Sequence, residues 1–127
     1  MKTENLNSLL ANMVSIQGLI NIDQKDVDSF IEEYGEIDAE KVSGKIEEIG
    51  AILDNTISSV RERNDNKPVN GLLLVIRLSK DNRLRENFND IHEILDKLGD
   101  VIEYKCGISI MDNLQKDQFE LIVVLGF

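Results

Sequence analysis

Gly71-Leu72-Leu73-Leu74-Val75-Ile76 is a glycine followed by five consecutive aliphatic residues. A run without polar alternation has no wet side, so it suits a strand covered on both faces. Downstream, Leu84, Phe88, Ile91, Leu95 and Leu98 recur at three- and four-residue steps, one stripe of a helix closed by Gly99. Ile102, Tyr104, Cys106, Ile108 and Ile110 then alternate with Glu103, Lys105, Gly107 and Ser109, the pattern of a strand with one wet face. A strand over 71–78, a helix over 83–98 and a strand over 101–111 make a β-α-β unit. Its crossover is expected to be parallel and right-handed.

Working outward, Phe119, Leu121, Val123 and Leu125 alternate with Glu120, Ile122 and Val124, so the last strand is apolar on both faces and central. Asp112-Asn113-Leu114-Gln115-Lys116-Asp117 reads as a hairpin loop, which would set that strand antiparallel beside 101–111. Upstream, Ile46, Ile49, Leu53, Ile57 and Val60 mark a helix over 45–61, and Arg61 to Asn70, with the only proline at Pro68, is a surface connection. Glu36 to Val42 is open between a polar edge strand and the first turns of that helix. A helix from about Asp23 to Tyr34 buries Val27, Phe30 and Ile31. Another carries Leu6, Leu9, Leu10 and Met13, with Thr3 placed to cap it and Gly18 to end it. The expected fold class is α/β: a two-layer sandwich with a mixed sheet of three to four strands and two helices, 45–61 and 83–98, on one face. No internal repeat, low-complexity tract or second domain is visible.

The 127 residues fit one domain, and 42% hydrophobic with 30% charged residues is globular composition. Lys and Arg number 14 against 24 Asp and Glu, a formal net charge of -10, so nucleic acid and anionic membrane surfaces are repelled. No apolar run reaches the ~18 residues of a membrane span. Met1-Lys2-Thr3-Glu4-Asn5 lacks a signal peptide's apolar stretch, and a cytoplasmic protein is expected. No glycine-rich phosphate loop occurs. Cys106, the single cysteine, falls on the apolar face of its strand and reads as a structural thiol. His92, the single histidine, sits at the rim of a helical stripe without an identifiable partner. The acidic run Asp23, Asp26, Asp28, Glu32, Glu33 lacks calcium-loop spacing and reads as a solvated helix face, so no metal site is assigned.

One segment stands apart: Gly18-Leu19-Ile20-Asn21-Ile22-Asp23-Gln24-Lys25-Asp26-Val27. Asp23 can cap the following helix, with Asp26 in the first turn where the dipole favours negative charge. The same carboxylates could instead serve catalysis.

The segment resembles the loop of FtsZ, the tubulin-like GTPase of bacterial and archaeal cell division, which reads Gly-Leu-Ile-Asn-x-Asp-x-x-Asp-Val. Gly71 to Ile76 resembles the family's next apolar strand. Cys106-Gly107-Ile108-Ser109-Ile110-Met111-Asp112 resembles a strand ending in Gly-x-x-Ile-Asp, and Leu121 to Phe127 a closing strand ending in Gly-Phe. Together these cover about residues 10 to 127. The resemblance implies a C-terminal domain only, with 1–17 the end of a central helix, 18–27 the activating loop and 28–127 the domain proper. It implies no cofactor in this chain, GTP being held by the neighbouring subunit, and no activity from this chain alone. Asn21, Asp23 and Asp26 would enter that subunit's pocket and position the attacking water, an arrangement that forms when subunits stack head to tail into filaments. The implied partners are an FtsZ-like GTP-binding domain or subunit and other copies of this chain. The alternative function is a stand-alone interaction or dimerisation domain that kept the fold and regulates or caps filaments without catalysis. Under either, Leu6, Leu9, Leu10 and Met13 would lack their natural cover, so residues 1–16 are expected to seek a partner chain.

Overall fold

A computed structural model describes residues 3–14, 22–79, 93, 96 and 103–127. Its helices are α1 (Thr3–Val14), α2 (Gln24–Glu33) and α3 (Ile49–Arg63), the last preceded by a 3₁₀ turn at Ile46–Glu48. Its strands are β1 (Ile37–Lys45), β2 (Gly71–Ser79), β3 (Glu103–Met111) and β4 (Gln118–Gly126). They form one mixed sheet in the order β1-β4-β2-β3, with β2 and β3 parallel and the other two pairings antiparallel. The mixed α/β sheet is the expected class, and Ile37–Lys45 proves to be its fourth strand. Thr3 is the first described residue of α1, and its capping role lies outside the described side chains.

The expected hairpin between β3 and β4 does not form. All nine residues of β2 are buried, so an edge position would put its aliphatic run in water. With β2 and β3 already paired in parallel through their crossover, the order that shelters both apolar strands sets β4 on the other side of β2, in the middle. The charged strands, β1 with Glu40, Lys41 and Lys45 and β3 with Glu103 and Lys105, then take the edges. Residues 112–117 therefore carry the chain past β2 to reach β4.

Alternation divides the core between two faces. Leu72, Leu74, Ile76 and Leu78 of β2, with Phe119, Leu121, Val123 and Leu125 of β4, pack against Ile49, Leu53, Ile57 and Val60 of α3. On the opposite face Leu73, Val75, Ile122 and Val124 meet Leu10 and Met13 of α1 and Val27 and Phe30 of α2. Helix α1, expected only to precede the sandwich, and α2, given no place in its layers, thus cover its second face. Leu10 and Met13 are 7% and 2% exposed, and Leu6 and Leu9 pack beside them. The expected bare stripe is covered by the chain's own sheet, and nothing in that stripe requires a partner.

Two smaller expectations fail. Ile31 is 43% exposed, because Val27, Phe30 and Tyr34 already fill the inner face of α2. In β3, Gly107 and Ser109 are buried while Tyr104 and Ile110 are exposed, since the supposedly wet face is the one under α1 and α2. Of the helix expected over 83–98, Glu93 and Asp96 are helical and exposed. Its apolar stripe and His92 lie outside the described residues.

A glycine pair seats α2 on the sheet. Gly71 and Gly126 stand directly opposite each other on β2 and β4. The Tyr34 ring fills the notch above them, and its hydroxyl donates to the Asn70 carbonyl at 3.1 Å. A Cβ at Gly71 would meet ring carbon at 2.4 Å, and one at Gly126 would meet it at 2.5 Å. Gly44 is equally crowded, but by the flexible end of Ile52, which can swing away. Gly71→Ala and Gly126→Ala are therefore expected to cost about 1–3 kcal/mol in urea unfolding, the usual scale for overpacking, with Gly44→Ala clearly cheaper. Equal costs at all three positions would contradict this.

Candidate functional site

The carboxylates singled out in the sequence meet at the start of α2. Ile22, just before the cap, and Val27, in the first turn, are both buried in the same cluster and staple the entry of the helix. Asp23 is the N-cap, in extended conformation, and Asp26 is the third helical residue. Asp23 Oδ1 accepts from the Asp26 amide at 2.9 Å, and Asp26 Oδ2 accepts from the Asp23 amide at 3.0 Å. This reciprocal box satisfies two amide donors that a helix start leaves open. Asn21 lies outside the described residues.

Asp26 has a second partner. Lys105 Nζ, from β3, donates to its other oxygen at 2.5 Å. Partial burial opposes ionisation, but the Lys105 hydrogen bond and charge and the Asp23 amide outweigh it, holding the Asp26 carboxyl below its ordinary range. Asp26 is thus a fixed anion with both oxygens engaged. Asp23 stands exposed at the positive end of α2, where a carboxylate oxygen can orient a water molecule.

Beside this pair, a cleft of about 480 Å³ runs between α2 and the edge of β3, lined by Asp26, Phe30, Glu33, Glu103, Tyr104 and Lys105. Loss of hydration, then the hydrogen bond and charge of Glu103, raise the Glu33 carboxyl above its ordinary range. A carboxyl whose folded value is raised adds stability when protonated, and that contribution disappears as pH rises through the raised value. Glu33→Gln is accordingly expected to melt higher than the parent at about pH 7 and at the same temperature below about pH 4. Identical melting at both pH values would remove the repulsion from this account.

The sequence pattern marks Lys105, Glu33 and Glu103 only as solvated residues and not as members of a site. Lys105 is 79 residues from Asp26, and it reaches the face under α2 only because it pairs with Leu73 in the β2–β3 register. No local signal marks it. Cys106 lies on the other face of β3, partly buried against the α3 core, and burial pushes its thiol up to about 11. It stays protonated at neutral pH, as a structural thiol does. Among the described residues no helix is long and apolar enough to cross a membrane, and no group of His, Cys, Asp and Glu is arranged to hold a metal ion.

No protein-family model and no curated protein matches the sequence. Solved structures do match by fold. The FtsZ dimer of M. jannaschii superposes with a TM-score of 0.68 at 17% identity, over 97% of this chain and 36% of that one. The GDP-form protofilaments of Bacillus thuringiensis serovar israelensis TubZ give a TM-score of 0.68 at 14% identity, again over 97% and 36%. A helical model of the TubZ-Bt four-stranded filament gives a TM-score of 0.62 at 12% identity, over 97% and 33%. The chain therefore has a fold found within FtsZ and TubZ, and it spans about a third of their length.

Proposed function

We propose that this chain is the C-terminal, GTPase-activating domain of an FtsZ-like cytoskeletal cell-division protein, working in the cytoplasm. Its loop acts in trans on GTP bound by an adjoining subunit. The observation that carries this reading is the fold likeness, which takes in nearly the whole chain but only about a third of each relative. The matched structures are a dimer and filaments, which supports self-association of this chain; the contact we propose is head to tail, the kind that generates filaments. In this reading Asp23, exposed at the start of α2, orients the attacking water on the partner's nucleotide. Asp26 fixes Asp23 through the capping box, and Asn21 shapes the loop before them. GTP itself belongs to the partner domain.

A second reading has one observation in its favour. Both oxygens of Asp26 are already held within the chain, which suits a stand-alone interaction domain that regulates or caps filaments without catalysis. Exchanging the matching third of a hydrolysis-competent FtsZ for this chain separates the two. The trans reading expects the chimera to assemble with GTP and turn it over, while the chain alone neither binds nor hydrolyses GTP. A folded chimera that assembles but never hydrolyses GTP would support the interaction domain instead.

A further inference from the structure

Among the described residues β1 is the outermost strand on its side of the sheet, paired with β4 alone. An antiparallel pairing turns alternate residues of such a strand toward the partner and leaves the others pointing out. At the two ends Glu36 accepts from the Phe127 amide and the Ile46 amide donates to Asp117, so the even-numbered residues bond inward. Ile37, Ala39, Lys41, Ser43 and Lys45 therefore aim their amides and carbonyls away from β4, the row on which a further strand would grow. At Ala39 that row is closed. Its amide donates to Asp38 Oδ1 at 2.8 Å, and its carbonyl accepts from Arg63 Nη2, at the end of α3, at 3.1 Å. Arg63 Nε donates to Asp38 Oδ2 at 3.2 Å and Nη1 to Glu40, while Asn64 donates to the same Asp38 oxygen at 2.9 Å.

Such a clasp adds little to stability. The Arg63 side chain is 35% exposed, and ion pairs that water still reaches contribute little. What the guanidinium supplies is cover for the edge. Beyond it the row continues through Lys41, Ser43 and Lys45. The longest two-fold antiparallel register within β1 that spares Ala39 sets Ser43 opposite the same residue of a second copy. That register also sets Lys41 opposite Lys45, twice over. Like charges directly opposite across strands destabilise the pairing. Glu120 stands 4.0 Å from Lys41, an exposed contact too weak to cancel that repulsion. We infer that the β1 edge is closed to a second copy of this chain, by the Arg63–Asp38 clasp at Ala39 and by Lys41 and Lys45 beyond it. Self-association is thereby directed to other surfaces, whether the chain activates GTP or caps filaments.

Sedimentation of the 127-residue chain across a range of concentrations tests this. Arg63→Met frees Ala39 and opens the register that sets it opposite Lys45 and Lys41 opposite Ser43, with no like-charged pair. Its dimer is expected at about 10-fold lower concentration than any dimer of the parent, the scale of gaining two hydrogen bonds net. Lys41→Thr with Lys45→Thr removes the repulsion and should lower the dimer concentration likewise. Ser43→Pro is the control. Its amide points outward, so proline costs β1 no bond to β4 but blocks both registers. It should cancel the gain in both variants and leave the parent unchanged. Unaltered association in Arg63→Met would overturn the inference. So would a gain that survives Ser43→Pro, which marks loosened packing and not an opened edge. Should Arg63→Met fail to fold, the lysine variant decides alone: without a dimer that Ser43→Pro abolishes, the inference falls.

Discussion

In the FtsZ chimera, Asp23→Ala is expected to lower GTP turnover by about 10²-fold, the lower end of what a positioned acid–base group contributes. Asp26→Ala should follow it, because the box that orients Asp23 loses its other half and Lys105 loses its anion. Nucleotide affinity should barely move, since these carboxylates belong to the subunit that does not hold the GTP. If the pair only caps α2, each alanine instead costs about 1 kcal/mol of stability and leaves turnover per assembled subunit unaltered. Melting temperature and turnover, measured on the same variants, separate the outcomes. Asp26→Asn sharpens the contrast: it keeps an oxygen for the Asp23 amide but weakens the bond to Lys105. A box role predicts that Asn retains most of the rate, whereas a need for the negative charge predicts that it behaves like Ala. Stability loss without rate loss in all three variants would end the catalytic reading.

Much of the fold was legible because its strands announce themselves by composition. The unbroken aliphatic run from Leu72 to Ile76 and the doubly apolar Leu121–Leu125 read as central strands and are central. Their adjacency was not legible. A six-residue loop between 111 and 118 is the signature of a hairpin, and what overrides it is the parallel pairing of β3 with β2 together with the cost of leaving β2 at an edge. The second face was hidden for a related reason. Leu10 and Met13 show helical spacing, but nothing local tells whether such a stripe packs on its own sheet or on another domain.

At the site, Asp23 and Asp26 were found by spacing, three residues apart at a helix start, and the structure joins them as that spacing requires. Their third partner could not be found that way. Lys105 bonds Asp26 of α2 across 79 positions of sequence, and Arg77 bonds Asn12 of α1 across 65, through a register that exists only once the sheet is assembled. A cation in a strand pattern is ordinarily read as the wet side. Arg77 reverses that rule, since it is among the largest fully buried side chains.

The largest stability loss is expected at Phe119. The ring is fully buried at the start of β4, across from Gly44 on β1 and Leu78 on β2. It lies 3.6 Å from where a Cβ on Gly44 would stand, so the glycine leaves room that the ring takes up. Phe119→Ala would open a cavity in the buried cluster between the sheet and α3. The expected cost is about 3–5 kcal/mol, against roughly 5–15 kcal/mol holding a typical domain together. For a chain of this length that lowers the melting temperature by roughly 10–20 °C. Phe119→Leu keeps most of the volume and should cost only about 1–2 kcal/mol. Phe119 faces α3, while the capping box lies on the other face of the sheet. At a temperature where the Phe119→Ala chimera is still folded, its turnover should therefore match the parent's. That is the reverse of the pattern expected for Asp23→Ala, and a shared rate loss would mean that turnover follows stability and not the placement of the carboxylates.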